Sequence, residues 1–212
     1  MKTDDLLAAL AADAGTREPS PTARVAPALA IGAAVAAAVF AAVVGPRPDL
    51  AAAAETGRFL FKFVPTGLLA VAAVGALLRL TRPGGRLGVW AGLLVAAAVM
   101  QLGAVVVEAV LVPRDLWATR ALGRNALHCL LLTPFLSIAP LVVVLAAARH
   151  GATTRPALTG AVAGLAAAGV GASLYALNCA DDSPLFVGLW YPLAVAVVAA
   201  VGALIGRRLL TW

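Results

Sequence analysis

Charge is scarce in this 212-residue chain. Asp, Glu, Lys and Arg make up only 12% of it, while 62% is hydrophobic and the mean hydropathy is +0.97. Water-soluble domains carry about 25% charged residues, so a soluble globular fold is excluded. Only two cysteines are present, too few for the disulfide framework of a small secreted protein. The 16 basic residues against 10 acidic ones are scattered through short segments with no aromatic interleaving, which argues against a nucleic-acid surface. The N-terminal segment does not read as a secretory signal, because Asp4, Asp5, Asp13 and Glu18 stand where a basic n-region belongs.

Catalytic patterns are also missing. There is no phosphate-binding glycine loop, dinucleotide fingerprint, HExxH or nucleophile elbow. A Ser–His–Asp grouping of His128 with Ser183 and Asp181 or Asp182 has no local signature behind it. The chain therefore reads as a non-enzyme without a resident cofactor.

What is abundant is long apolar runs. A helix needs about 20 apolar residues to cross a bilayer. Six segments qualify: Val25–Val44, Phe63–Leu78, Leu87–Val112, Ala126–Ala148, Ala157–Leu177 and Leu185–Ile205. Lipid forbids open sheet edges, and none of the six shows the period-2 alternation of a membrane barrel, so all read as helices. The expected fold is all-α: a six-helix transmembrane bundle over residues 25–212, preceded by a cytoplasmic segment over 1–24. Lys2, Arg17, Arg24, Arg79, Arg82, Arg86, Arg149, Arg155, Arg207 and Arg208 fall on one side. Arg47, Arg58, Lys62, Arg114, Arg120 and Arg124 fall on the other. Ten against six places both termini on the cytoplasmic side of an inner-membrane-type protein.

In that topology Cys129 opens the fourth span and Cys179 follows the fifth, both at the outer face. They are a candidate pair for a disulfide in an oxidising compartment, or two small buried hydrophobes. His128, Glu108, Asp181 and Asp182 share their layer. Thiolate, imidazole and carboxylate groups at one depth suit a soft or borderline metal, and an imidazole beside Cys129 favours the reactive thiolate. Plainer roles exist as well. Glu108 can snorkel towards Arg114, and Asp181-Asp182-Ser183-Pro184 has the chemistry of a helix cap. Trp117, Tyr175, Trp190 and Tyr191 fit an interfacial aromatic belt. Gly160, Gly164 and Ala168 are spaced for close helix approach, a spacing that arises easily in so Gly- and Ala-rich a chain.

In the first 24 residues, Thr3 can cap a helix with Asp4 and Asp5 in its first turn. Leu6, Leu7, Leu10 and Ala14 form an apolar stripe, Gly15 offers a stop, and Gly15–Thr22 reads as a tether. Three Asp on the polar face suit a protein partner better than an anionic membrane surface.

Several stretches together resemble a bacterial group of membrane anti-sigma factors, the negative regulator of sigma F (NrsF) family. They are Met1-Lys2-Thr3-Asp4-Asp5-Leu6-Leu7, the pair His128-Cys129, and Asn178-Cys179-Ala180-Asp181-Asp182-Ser183-Pro184-Leu185-Phe186 followed by Trp190-Tyr191. The resemblance spans nearly the whole chain. It implies sequestration of an extracytoplasmic-function sigma factor and its release when oxidant or heavy metal acts on Cys129 and Cys179, so that any regulatory metal would sit on those two sulfurs. The sigma-binding residues are expected to be Asp4, Asp5, Leu6, Leu7 and Leu10, with help from the loops around Arg82 and Arg149. A small transporter or permease-like subunit is the alternative, although Gln101 is the main polar residue at mid-span. A transmembrane thiol oxidoreductase lacks a C-x-x-C pair and a histidine pair for haem or quinone.

Overall fold

The computed structural model describes residues 3–13 and 20–211. Among them the secondary structure is helical throughout, with no strand. The first helix, α1 (Thr3–Asp13), takes in Thr3 as its first residue and carries Asp4 and Asp5 in its opening turn. The expected tether over 15–22 falls mostly on residues 14–19, outside the described residues.

Helix α2 (Pro21–Val39) starts where Pro21 supplies a fixed φ and the Ser20 side chain accepts from the Ala23 amide. It runs on through a π-helical turn, Phe40–Val44, and stops at Gly45 with φ +71°. A short α3 (Leu50–Ala54) follows, then α4 (Gly57–Leu80), capped by Thr56 through the Phe59 amide. Next come α5 (Val89–Leu111), a 3-10 turn, and the short α6 (Trp117–Leu122). The chain ends with α7 (Ala126–Ala148), α8 (Pro156–Ala176) and α9 (Pro184–Leu209).

Six of these helices are long and apolar enough to cross a membrane, and they match the six runs expected from the sequence. The largest boundary difference is in α4. It begins at Gly57 and so draws Arg58 and Lys62 into the helix that was expected to start at Phe63. Partners across the bundle, described below, satisfy the buried Lys62. The small helices α3 and α6 were not legible as such in the loops that hold them.

Helix α8 is the hub. It packs against α9, α4 and α7, while α2 lies on α7, and α5 lies on α4 and α9. Its apolar span is 61% buried, against 17% for α2 and α5. Composition explains the central place, since α8 is built largely of Ala and Gly and lets neighbouring backbones come close. A Cβ on Gly164 would sit 2.6 Å from the Val198 carbonyl oxygen of α9, and one on Gly206 would sit 2.7 Å from the Gly160 Cα. The Gly160/Gly164 spacing is thus the contact surface for α9, met by glycines on the facing helix.

The interior divides into two apolar clusters. One joins Val25, Leu77, Leu145, Ala166, Val198 and Leu210, towards the end of the bundle where α2 begins and α9 ends. The other joins Phe40, Cys129, Tyr175, Cys179, Phe186 and Tyr191 at the opposite end.

Candidate functional site

At this second end the loops after α2, α5 and α8 converge, and hydrogen bonds fix the relation of the first to the third. The Arg47 amide donates to the Leu177 carbonyl at 3.0 Å, and the Asn178 side-chain amide donates to the Gly45 carbonyl at 3.0 Å. The loop that delivers Cys179 is therefore laced to the loop that leaves α2.

Both sulfurs are fully buried free thiols within one apolar cluster. Cys129 lies in the first turn of α7, its sulfur 4.0 Å from the Thr133 hydroxyl. Cys179 follows α8, and its thiol points at the Asp181 carbonyl at 3.7 Å. The rings of Tyr175 and Tyr191 pack in the same cluster with centroids 5.9 Å apart. These tyrosines are core residues rather than members of an interfacial belt. Only Trp117 is exposed among the four aromatics expected there, while Trp190 donates to the Ala121 carbonyl at 2.8 Å.

Above the thiols lies a charged lattice. The Lys62 ammonium, 1% exposed, donates to the Cys179 carbonyl at 2.8 Å and pairs with Asp182 Oδ1 at 2.6 Å. Arg47, also buried, reaches Asp182 Oδ2 at 2.8 Å, the Cys179 carbonyl at 3.4 Å, and both oxygens of Asp49. Both cations stand over the Phe59 ring, an arrangement that favours desolvated charge. The Arg47 guanidinium holds the Asp49 carboxyl below its usual range, and bonds to Asp49 and Asp182 raise Arg47 in turn against its own burial. Burial pushes the Cys179 thiol up, against the pull of Lys62.

Asp181 ties the two cysteine segments together. Its Oδ2 accepts from the backbone amides of Arg124 and Asn125 and from the Asn125 side chain, at 3.0, 2.8 and 2.9 Å. Asn125 begins α7. Its carbonyl accepts from the Cys129 amide at 2.8 Å and from the Tyr175 hydroxyl at 3.3 Å. The path from Cys179 through Asp181 and Asn125 to Cys129 is thus a chain of specific hydrogen bonds.

Glu108 sits apart and has a different task. Its carboxylate pairs with Arg120 at 2.8 Å and Arg58 at 3.5 Å, and it accepts from the Ser183 hydroxyl and the Leu185 amide. Ser183 occupies the N-cap position of α9 but makes no side-chain cap bond there. Glu108 supplies that cap from another helix, in place of both the expected Asp/Ser cap and a contact with Arg114.

The expected metal-binding grouping is not assembled. His128 is exposed while Cys129 beside it is buried, and Asp181, Asp182 and Glu108 are engaged as above. Among the described residues no three His, Cys, Asp or Glu side chains are grouped to hold a metal ion. The reactive thiolate is expected at Cys129 beside His128, but that imidazole is exposed while the sulfur is buried; at Cys179 burial favours the neutral thiol.

Sequence reasoning missed Arg47 and Lys62, which it counted only as loop charges. A usable signal was present in Phe61-Lys62-Phe63: a lysine between aromatics one turn ahead of Pro65 belongs inside an apolar helix, where it demands a carboxylate. On α1, Asp4, Asp5 and Leu7 are exposed; the side chains of Leu6 and Leu10 lie outside the described residues.

The described residues thus form a helical bundle with six helices apolar enough to span a membrane and two buried thiols under a laced polar cap at one end. Residues 10–212 match the family described as negative regulator of sigma F. The chain is 38% identical to the anti-sigma-F factor NrsF of Caulobacter vibrioides and 35% identical to the probable anti-sigma-F factor NrsF of Azospira oryzae. Each match covers the whole of both chains. The chain belongs to the NrsF family. No solved structure matches it.

Proposed function

We propose that this protein is a membrane-bound anti-sigma factor of the bacterial inner membrane. In this reading both termini are cytoplasmic, and an extracytoplasmic-function sigma factor is held by the N-terminal helix through Asp4, Asp5, Leu6, Leu7 and Leu10. The arginine-bearing loops at Arg82 and Arg149 lie at the same end and assist. The observation that carries the reading is full-length similarity to two NrsF proteins, together with two buried thiols joined through Asp181 and Asn125.

Release is triggered at the thiols. As a disulfide forms, the pair gives up two protons and two electrons to an external oxidant; binding a soft divalent metal ion instead releases the two protons. In this reading either event draws the sulfurs together and shifts the start of α7 against α8 and the segment that follows it. These helices touch tightly: a Cβ on Gly171 of α8 would lie 2.7 Å from the Thr133 carbonyl of α7. At the far end, the Ala152 amide, just beyond α7, donates to the Thr81 carbonyl of the loop after α4. Relative movement of α7 and α8 thereby reaches the face proposed to hold the sigma factor. About 1.4 kcal/mol of difference between the two packings changes partner affinity tenfold.

The test is sigma-dependent transcription in cells carrying Cys129→Ser and Cys179→Ser, with and without oxidant or cadmium. Loss of induction is expected, and induction equal to the wild type refutes the sensing role. Deleting Met1–Ala14 is expected to give constitutive transcription; continued repression refutes the docking assignment.

A further inference from the structure

Helix α2 is joined through the chain to the segment that carries α1, and its two ends are held by different parts of the molecule. Its inner part presents one buried stripe, Val25, Gly32, Ala36 and Phe40. A Cβ on Gly32 would sit 2.6 Å from the Pro140 Cα, so the stripe is seated closely on α7. The outer end departs from the α-helix. Phe40–Val44 is a π-helical turn, closed by the Gly45 amide donating to the Phe40 carbonyl at 2.7 Å. That bond spans five residues instead of four, so the turn holds one residue more than the helix it continues.

Local sequence does not demand this turn. Phe-Ala-Ala-Val-Val contains no Gly or Pro and can extend an α-helix. Its partners demand it. Phe40 is buried in the thiol cluster, and Val39 and Val44 pack against that cluster. Past the turn, the Gly45 carbonyl accepts from Asn178, the neighbour of Cys179. Arg47 holds the Leu177 carbonyl, the Cys179 carbonyl and Asp182. Wound as a plain α-helix, the same residues would carry everything beyond Phe40 about 100° further around and about 1.5 Å further along. The stripe on α7 and the bonds to the Cys179 segment could then not be made together. The outer end of α2 is thus tied to the Cys179 segment, and the π turn is where the helix has a residue to give. The span is only 17% buried, so little packing beyond the stripe opposes its rotation.

We propose that the π turn Phe40–Val44 is a two-state element that carries the state of the thiols to the N-terminal segment. With both thiols free the turn is π-helical. When a disulfide or a bound metal ion draws the Cys179 segment towards Cys129, Gly45 and Arg47 follow it and the turn winds to α. Pro21–Val39 then rotates and slides on α7 by one residue, about 1.5 Å, and displaces the attachment of α1. Coupling between distant sites requires an element of this kind, with two discrete arrangements that both sites bias. The inference rests on the thiol reading above and names the part of the chain that moves.

Deleting Ala42, an exposed residue of the turn, removes the extra residue and leaves both ends of α2 in register. The variant is expected to repress sigma-dependent transcription like the wild type and to lose induction by diamide, a two-electron thiol oxidant, at least tenfold. A deletion variant that represses and is induced like the wild type overturns the proposal, as does one that is as stable as the wild type but no longer represses. The second measurement needs no deletion and no sigma factor. Spin labels are carried on p-acetylphenylalanine at Ile31 and Leu204, exposed positions on α2 and α9, in the full chain in nanodiscs with both cysteines kept. Diamide is expected to shift the distance between the labels by several ångströms, because a turn of about 100° carries the α2 label around its helix. An unchanged distance with both sulfurs oxidised overturns the proposal even if the deletion variant fails to fold. Wild-type induction in Cys129→Ser and Cys179→Ser would instead refute the thiol reading itself, and this inference with it.

Discussion

The Lys62 ammonium donates to the backbone carbonyl of Cys179, 117 positions away, at 2.8 Å. One buried cation therefore ties α4 to the segment that delivers a thiol, and the carboxylate that neutralises it, Asp182, comes from that same segment. Removing one partner of a buried pair costs more than the pair contributes, because the remaining charge is left uncompensated. Lys62→Met is expected to destabilise the detergent-solubilised protein by about 3 kcal/mol, read as a lowered thermal midpoint. Arg47 still reaches Asp182, so Lys62→Met is expected to be milder than Lys62→Met combined with Arg47→Met. Equal midpoints for wild type and Lys62→Met would show that the pair does not hold this end together.

Asp181→Ala removes three hydrogen bonds that converge on one carboxylate oxygen. Hydrogen bonds to a charged group are worth about 1.5–3 kcal/mol, and here their loss frees the start of α7 from the Cys179 loop. The expected result is faster alkylation of both Cys129 and Cys179 by N-ethylmaleimide in the folded protein. Asp115→Ala, at an exposed position on the 3-10 turn, is the control and should leave the rates unchanged.

Acid stability should carry the mark of Asp49. Its folded pKa lies below the ordinary value through its bond to Arg47. The contribution is therefore present above the unfolded pKa, about 4, and is lost as pH falls through the folded value. The midpoint difference between wild type and Asp49→Asn should be seen at neutral pH and vanish in strong acid.

The alkaline side is governed by Cys179, whose folded pKa is raised by burial. Its contribution is complete below the unfolded thiol value, about 8.5, and is lost as pH rises through the folded one. In a Cys129→Ser background, alkylation of Cys179 should rise with pH later than that of a free thiol. A rate profile centred on the free-thiol value would contradict the burial of this sulfur.

Packing of α8 on α9 depends on missing side chains. Gly164→Leu places carbon where the backbone of Val198 and Ala199 already lies, and overpacking of this kind costs typically about 1–3 kcal/mol. Gly103→Leu, on the open face of α5 where an added Cβ meets nothing, should be tolerated. Thermal midpoints of the two variants are expected to differ by several degrees in that order.

Six helices, their order and the end at which both cysteines fall were legible in the linear sequence. Each is fixed by local composition: a run of about 20 apolar residues forms a helix whatever its neighbours do, and successive spans put alternate loops at the same end. The sequence also marked Asp181, Asp182 and Glu108 as polar residues in the layer of the thiols.

Tertiary structure alone decided what those residues touch. Glu108 caps a helix it does not belong to, Asp181 bridges two loops 56 positions apart, and Lys62 and Arg47 leave the count of loop charges to become buried ions over the Cys179 carbonyl. Side-chain partners of this kind depend on the rotation and separation of packed helices, which neither apolar runs nor charge counts encode. For the same reason the central place of α8 emerged only when the glycines of α9 were seen to meet its own.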